Sequence, residues 1–259
     1  MIPSALEHVQ KIARSGERLA VFLDYDGTLT PIVSHPEDAW LSESMRQTLR
    51  SLAAHVPVAI LSGRDLDDVR GRVHVDGIVY AGSHGFDIAG AGGLHRELGA
   101  PYLPVLDAAE AELREALDEI SGAQLERKHF SVAAHYRNVN ENDAIRVAEA
   151  VDAVAVTHRG LRRINGKKVY ELLPDIDWNK GKAVLWLLET LQLESRPRGI
   201  RPIFIGDDRT DEDAFCALEK RGIGILVSEQ PQVTAANYWL KNPDEVECFL
   251  RELIARLPE

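Results

Sequence analysis

The chain has 259 residues, 45% apolar and 27% charged, which suits a soluble globular protein of one large domain or two modest ones. Its net charge of −11, from 30 Lys+Arg against 41 Asp+Glu, argues against nucleic acid as the main partner, although a local cluster of Lys and Arg can still hold a small anion. No apolar run approaches membrane-spanning length, no signal-peptide core opens the chain, and Cys216 and Cys248 form neither a metal spacing nor a disulfide framework, so a cytoplasmic setting without a membrane partner is expected.

The first 18 residues are mixed and amphipathic, with Ala5, Leu6, Val9, Ile12 and Ala13 as their apolar members. Residues 19–23, 56–61 and 78–81 are rich in β-formers and predict strands, with helices at 42–54 and 66–73 between them. The middle reads differently. Leu113, Ala116, Leu117 and Ile120 recur at helical spacing and predict a helix over 107–120. A strand follows at 130–136, then a helix at 143–151 and strands at 154–157 and 168–173. The alternation returns late, with helices at 178–191 and 211–220 and strands at 202–205 and 223–227. Strands alternating with helices predict an α/β core around a parallel sheet covered on both faces. The middle predicts an inserted α+β module. The expected division is a core of 1–98 and 179–259 and an insert of 99–178, with hinges at the glycine-rich stretch 89–93 and the turn 174–178.

Four segments fall at the C-terminal ends of predicted core strands or at a helix start, the edge where open α/β sheets place their sites. The first is Asp24-Tyr25-Asp26-Gly27-Thr28. Residues i and i+2 of an extended stretch point the same way, so Asp24 and Asp26 are expected to share one small volume with a cation between them. The second is Ser62-Gly63-Arg64, the third Lys180, and the fourth Gly206-Asp207-Asp208 running on to Asp211. Each alone has a plainer reading. Asp-x-Asp-Gly is often a turn, Lys180 a solvated helix residue, and the acidic run a helix cap. Together they supply what phosphoryl transfer needs: an oxygen nucleophile, a proton donor, cations and phosphate-binding donors. Asp24 is the candidate nucleophile and Asp26 the candidate acid and base. Asp207 and Asp208 offer oxygens to Mg²⁺, and Ser62, Gly63, Arg64 and Lys180 are candidate phosphate contacts.

In these four segments, in this order, the sequence resembles the haloacid dehalogenase-like phosphatases. The resemblance implies a Rossmann-like core, an aspartyl-phosphate intermediate, and Mg²⁺ held by the Asp24 carboxylate, the Asp26 carbonyl and the Asp207 carboxylate, with Asp208 or Asp211 close behind. Further segments are similar to the trehalose-6-phosphate phosphatases: Leu29-Thr30-Pro31-Ile32-Val33, Gly82-Ser83-His84-Gly85, Glu126-Arg127-Lys128, His135-Tyr136-Arg137, Gly166-Lys167-Lys168-Val169-Tyr170-Glu171 and Trp178-Asn179-Lys180-Gly181. By this resemblance the insert is a cap that reads a sugar through Glu126, Lys128, Arg137, Lys167 and Glu171, with His84 a further visitor to the site. The family often has Arg where this chain has Leu173. The implied reaction is hydrolysis of a small-molecule sugar phosphate, trehalose 6-phosphate, by a monomer beside a separate synthase. Sucrose phosphate or a glycosyl-phosphoglycerate as substrate, a phosphomutase, and a catalytically silent binding partner of a sugar-phosphate synthase are the alternatives.

Overall fold

The computed structural model describes residues 2–13, 18–194 and 199–257, the side chains of 192–194 excepted. Met1 and residues 14–17 of the amphipathic N-terminal stretch lie outside the described residues. The chain divides into two compact units, one of Met1–His95 with Trp178–Glu259 and one of Arg96–Asp177.

The first unit opens with helix α1 (Ala5–Ala13) and strand β1 (Arg18–Asp24), followed by α2 (Glu43–Ala53), β2 (Val58–Leu61), α3 (Leu66–Val73), β3 (Val79–Gly82) and β4 (Asp87–Ala89); β5 (His95–Glu97) begins on the last residue of that unit's first segment and runs into the second unit. The second unit holds α4 (Leu103–Leu117), β6 (Gln124–Lys128), β7 (Ser131–His135), α5 (Ala144–Thr157), β8 (Leu161–Gly166) and β9 (Val169–Pro174). The chain then completes the first unit with α6 (Lys180–Glu194), β10 (Ile200–Gly206), α7 (Arg209–Leu218), β11 (Ile223–Val227), β12 (Tyr238–Leu240) and α8 (Pro243–Ile254).

The larger sheet has the order β12-β11-β10-β1-β2-β3-β4-β5 and is parallel from β12 to β3. Period-two alternation along β1 explains its two cores. Leu19, Val21 and Leu23 enter one cluster with residues of α1, α2, α3 and α8, while Ala20 and Phe22 enter another with Ala183, Val184 and Leu187 of α6 and Phe215 of α7. The expected α/β class is what the structure shows. From β1 the chain proceeds outward to β2 on one side, and β10 closes on the other. The crevice beyond the carboxyl ends of β1 and β10 is therefore the topological switch point.

In the second unit, α4 and α5 cover one face of a four-stranded antiparallel sheet of order β6-β7-β9-β8. One expected strand there is wrong. Residues 154–157 are the last turn of α5 rather than a strand. Val154, Val156 and Thr157 favour β structure locally, but Val147, Val151 and Val154 continue one helical stripe into the core, and that burial outweighs propensity. Strands β6 and β8 were missed because polar residues dominate them. No helix among the described residues is long and apolar enough to cross a membrane.

Candidate active site

Strand β1 delivers Asp24 to the sheet edge as its last residue, 5% exposed. The chain then turns tightly: the Gly27 amide donates to the Thr30 carbonyl at 2.8 Å and the Leu29 amide to the Tyr25 carbonyl at 2.9 Å. Gly27 has φ +88°, and a Cβ there would stand 2.1 Å from Asp207 Oδ2, so only glycine lets the Asp207 carboxylate lie against this turn.

Three carboxylates converge here. Asp24, Asp207 and Asp211 are all buried, with oxygens within 4.8 Å of one another. Lys180, the first residue of α6 and 3% exposed, places Nζ 2.7 Å from Asp24 Oδ1 and 2.7 Å from Asp211 Oδ1. Burial works against the Lys180 charge, but Asp211 and Asp24 hold its pKa above the ordinary lysine range. Burial pushes the Asp24 carboxyl well above the usual carboxylate range, with Lys180 opposing and the two neighbouring carboxylates adding to the rise. Three carboxylates against one ammonium leave excess negative charge in a buried space. The oxygen-only donors suit a hard divalent cation.

Helix α7 arranges the acidic run. The Asp211 Oδ2 accepts the Asp207 amide at 2.9 Å and the Asp208 amide at 3.0 Å, fixing the start of the helix. Gly206 leaves room for this, since a Cβ on it would lie 2.4 Å from Asp211 Cγ. Asp208 is not among the converging carboxylates; it is the N-cap of α7, its Oδ1 accepting the Arg209 amide at 2.6 Å.

Asp26 is not among the converging carboxylates. β1 stops at Asp24, so period-two geometry does not carry through the turn. The Asp26 carboxylate instead takes Arg64 Nη2 on Oδ1 at 2.7 Å and Arg64 Nε on Oδ2 at 2.8 Å. Arg64 also donates to Asp68 Oδ2 at 3.0 Å and to the Pro36 carbonyl at 2.8 Å, so its guanidinium is committed to protein oxygens. Ser62 follows β2 and is buried; its Oγ accepts the Arg64 amide at 3.1 Å and its O–H can still donate. The His84 amide donates to the Ser62 carbonyl at 2.8 Å, and the His84 ring lies over Gly63.

The remaining predicted residues belong to the second unit. Strand register puts Glu126, Lys128, Ser131, His135, Glu171 and Arg162 on the sheet face opposite the buried Val132, Ala134 and Leu172. There Lys128 Nζ meets Glu171 Oε1 at 3.0 Å, Ser131 Oγ donates to the same oxygen at 2.5 Å, and His135 Nε2 meets Glu126 Oε2 at 2.8 Å. The His135 hydrogen bond holds the Glu126 carboxyl below the usual range. Arg137 donates to the Lys167 carbonyl at 3.2 Å. Leu173 is buried, and Arg162 stands directly across from it on β8.

Residues 22–244 match the family model described as trehalose-phosphatase. The chain belongs to the trehalose-phosphatase family. Its similarity to a probable trehalose-phosphate phosphatase of Arabidopsis thaliana is 42% identity, covering 97% of this chain and 72% of the relative. A trehalose 6-phosphate phosphatase of Zea mays is also 42% identical, covering 97% and 74%. The C-terminal domain of Candida albicans trehalose-6-phosphate phosphatase shares the fold over the whole of both chains, at a TM-score of 0.86 and 22% identity. The protein is thus a phosphoric monoester hydrolase by family, and the haloacid dehalogenase-like resemblance is shown in its fold. Sequence reasoning passed over Ser131, Asp68 and Arg72 in this family member. Asp68 and Arg72 stand four and eight residues after Arg64, a spacing that marks one helix face.

Proposed function

We propose that this chain hydrolyses trehalose 6-phosphate to trehalose and inorganic phosphate, with Asp24 as nucleophile and Mg²⁺ as cofactor. The observation that carries the reading is the buried Lys180 bridging Asp24 and Asp211 beside Asp207, within a chain of this family. Asp24 and Asp207, with the Asp26 backbone carbonyl, would hold the Mg²⁺, and Asp211 would orient the set through Lys180 and the start of α7. Bound there, the cation would neutralise charge on the phosphoryl oxygens.

Asp24 attacks phosphorus, and the bond from phosphorus to the sugar oxygen breaks. Asp26 enters this step protonated, gives its proton to that oxygen and becomes the carboxylate that Arg64 pairs with. In the second half Asp26 takes a proton from water, the water oxygen attacks phosphorus, and the bond to Asp24 breaks to release phosphate. Ser62 O–H, the Gly63 amide and Lys180 bind the phosphoryl oxygens. Arg64, proposed from sequence as a phosphate contact, is better read as the partner of Asp26. In the second unit, Glu126, Lys128 and Glu171, held by His135 and Ser131, recognise sugar hydroxyls, with Arg137 and Lys167 at the end of the same sheet. Oriented polar groups of this kind reject analogues that lack the matching hydroxyl.

The test is phosphate release with Mg²⁺ from trehalose 6-phosphate, sucrose phosphate, glucose 6-phosphate and a glycosyl-phosphoglycerate. Trehalose 6-phosphate is expected to be preferred and Asp24→Asn to be inactive. Lys128→Ala and Glu171→Ala should impair the sugar phosphate far more than an aryl phosphate. Normal turnover by Asp24→Asn would remove the nucleophile, and equal losses on both substrates would remove the sugar-reading face.

A further inference from the structure

The proton-transfer candidate Asp26 is not left to solvent. Both its oxygens are gripped by the Arg64 fork, and a bidentate pairing fixes the plane of a carboxylate as well as its position. Arg64 is itself immobilised. Its guanidinium meets Asp68 and the Pro36 carbonyl and lies 5.4 Å from the centre of the buried Tyr25 ring. Asp68 then divides its oxygens between two arginines: Oδ2 takes Arg64 and Oδ1 takes Arg72 Nε at 2.7 Å. Arg72 is buried, although the hydrolytic steps above make no use of it. It donates to the Glu37 carbonyl at 3.0 Å and the Ala39 carbonyl at 3.2 Å, and its guanidinium lies 4.9 Å from the centre of the Trp40 ring. Tyr25, between the two aspartates, donates its O–H to that same Ala39 carbonyl at 2.8 Å.

The result is an alternating series, Asp26, Arg64, Asp68, Arg72. Its outer end ties down the turn at 36–40, which in turn supplies the Pro36 carbonyl to Arg64. A pair of exposed i,i+4 salt bridges would need no such convergence and would contribute little. Here both arginine side chains are only 10% exposed, although Asp26 and Asp68 are 36% and 42% exposed, and the series ends on the candidate proton-transfer carboxylate.

We propose that Arg64, Asp68 and Arg72 are positioning residues that act as a relay to set the orientation of the Asp26 carboxylate toward the leaving sugar oxygen. The inference rests on the reading of Asp26 as the proton donor. Removing one member would let the carboxylate turn, and misplacement of a reacting group by an ångström costs up to about a hundredfold.

The experiment compares kcat/KM for trehalose 6-phosphate and for 4-nitrophenyl phosphate, with Mg²⁺, in the wild type, Asp26→Asn, Arg64→Lys, Asp68→Asn and Arg72→Met. A sugar alkoxide needs a proton to leave, whereas 4-nitrophenolate does not. The ratio of the two constants therefore reports delivery of that proton, and the folded fraction of each variant cancels. Asp26→Asn should lower the ratio most. Arg64→Lys and Asp68→Asn should lower it by about tenfold, and Arg72→Met by less, with kcat falling more than KM rises. Arg64→Lys keeps the charge but cannot form the fork, so it serves if Asp68→Asn folds poorly. A wild-type ratio in Arg64→Lys and Asp68→Asn, alongside a lowered ratio in Asp26→Asn, overturns the relay and leaves the proton donor standing. An unchanged ratio in Asp26→Asn itself overturns the proton-donor reading and the relay with it.

Discussion

Lys180 and Asp24, 156 residues apart in sequence, are joined by a 2.7 Å hydrogen bond in which both partners are buried. The same ammonium reaches Asp211. Two buried carboxylates thus share one ammonium. Lys180→Met should lower the unfolding free energy by about 3–5 kcal/mol, the cost of leaving buried charge uncompensated, and abolish turnover. Urea unfolding followed by circular dichroism gives the first quantity. A loss confined to activity would show that the pair is weaker than its burial suggests.

Gly27→Ala should be as damaging as loss of a catalytic residue. The new Cβ would meet the Asp207 carboxylate at 2.1 Å, and the φ of +88° is itself strained for alanine by about 1–2 kcal/mol. Asp207 must move away, and Mg²⁺ binding is expected to go with it. Calorimetric titration of the variant with Mg²⁺ should show no heat where the wild type does.

Asp207 and Asp208 are adjacent but should behave differently. Mg²⁺ should raise the thermal midpoint of the wild type, because a ligand of the folded state stabilises it by mass action. Asp207→Asn should lose that rise. Asp208→Asn should keep it, and Asp208→Ala should cost about 1 kcal/mol of stability as a lost helix cap. If Asp208→Asn also abolished the Mg²⁺ response, Asp208 would have to be counted among the ligands.

The Glu126 carboxyl is held below its ordinary range chiefly by the His135 hydrogen bond. A depressed carboxylate contributes stability in full above its unfolded pKa of about 4.3 and loses it as pH falls through the lower folded value. Glu126→Gln should therefore be less stable than the wild type at neutral pH, with the gap closing below about pH 4. Urea midpoints measured across that range test the sign, and a gap that widened on acidification would refute the assignment.

Much of the core was legible because its signals are local. The apolar run of β1, the alternation that feeds two cores and the helix 66–73 need only neighbours in sequence to be recognised. Less of the second unit was legible. The polar strands β6 and β8 have no apolar alternation to show, since one face carries Glu126, Lys128 and Arg162. The end of α5 looked extended because valine and threonine favour strands when nothing else is known of their surroundings.

By itself the sequence determined which chemical groups stand at strand ends and helix starts: Asp24, Asp26, Ser62, Lys180 and Asp207. These placements follow from local backbone preferences and periodicity. Only the tertiary structure decided the partners. β10 lies beside β1, so Asp207 and Asp211 come to Asp24 and Lys180 bridges them, while Asp26 pairs with Arg64. Helical register chose Asp211 for the interior and Asp208 for the cap. Charge pairing is settled by distances across the fold, and residue spacing along the chain carries no record of them.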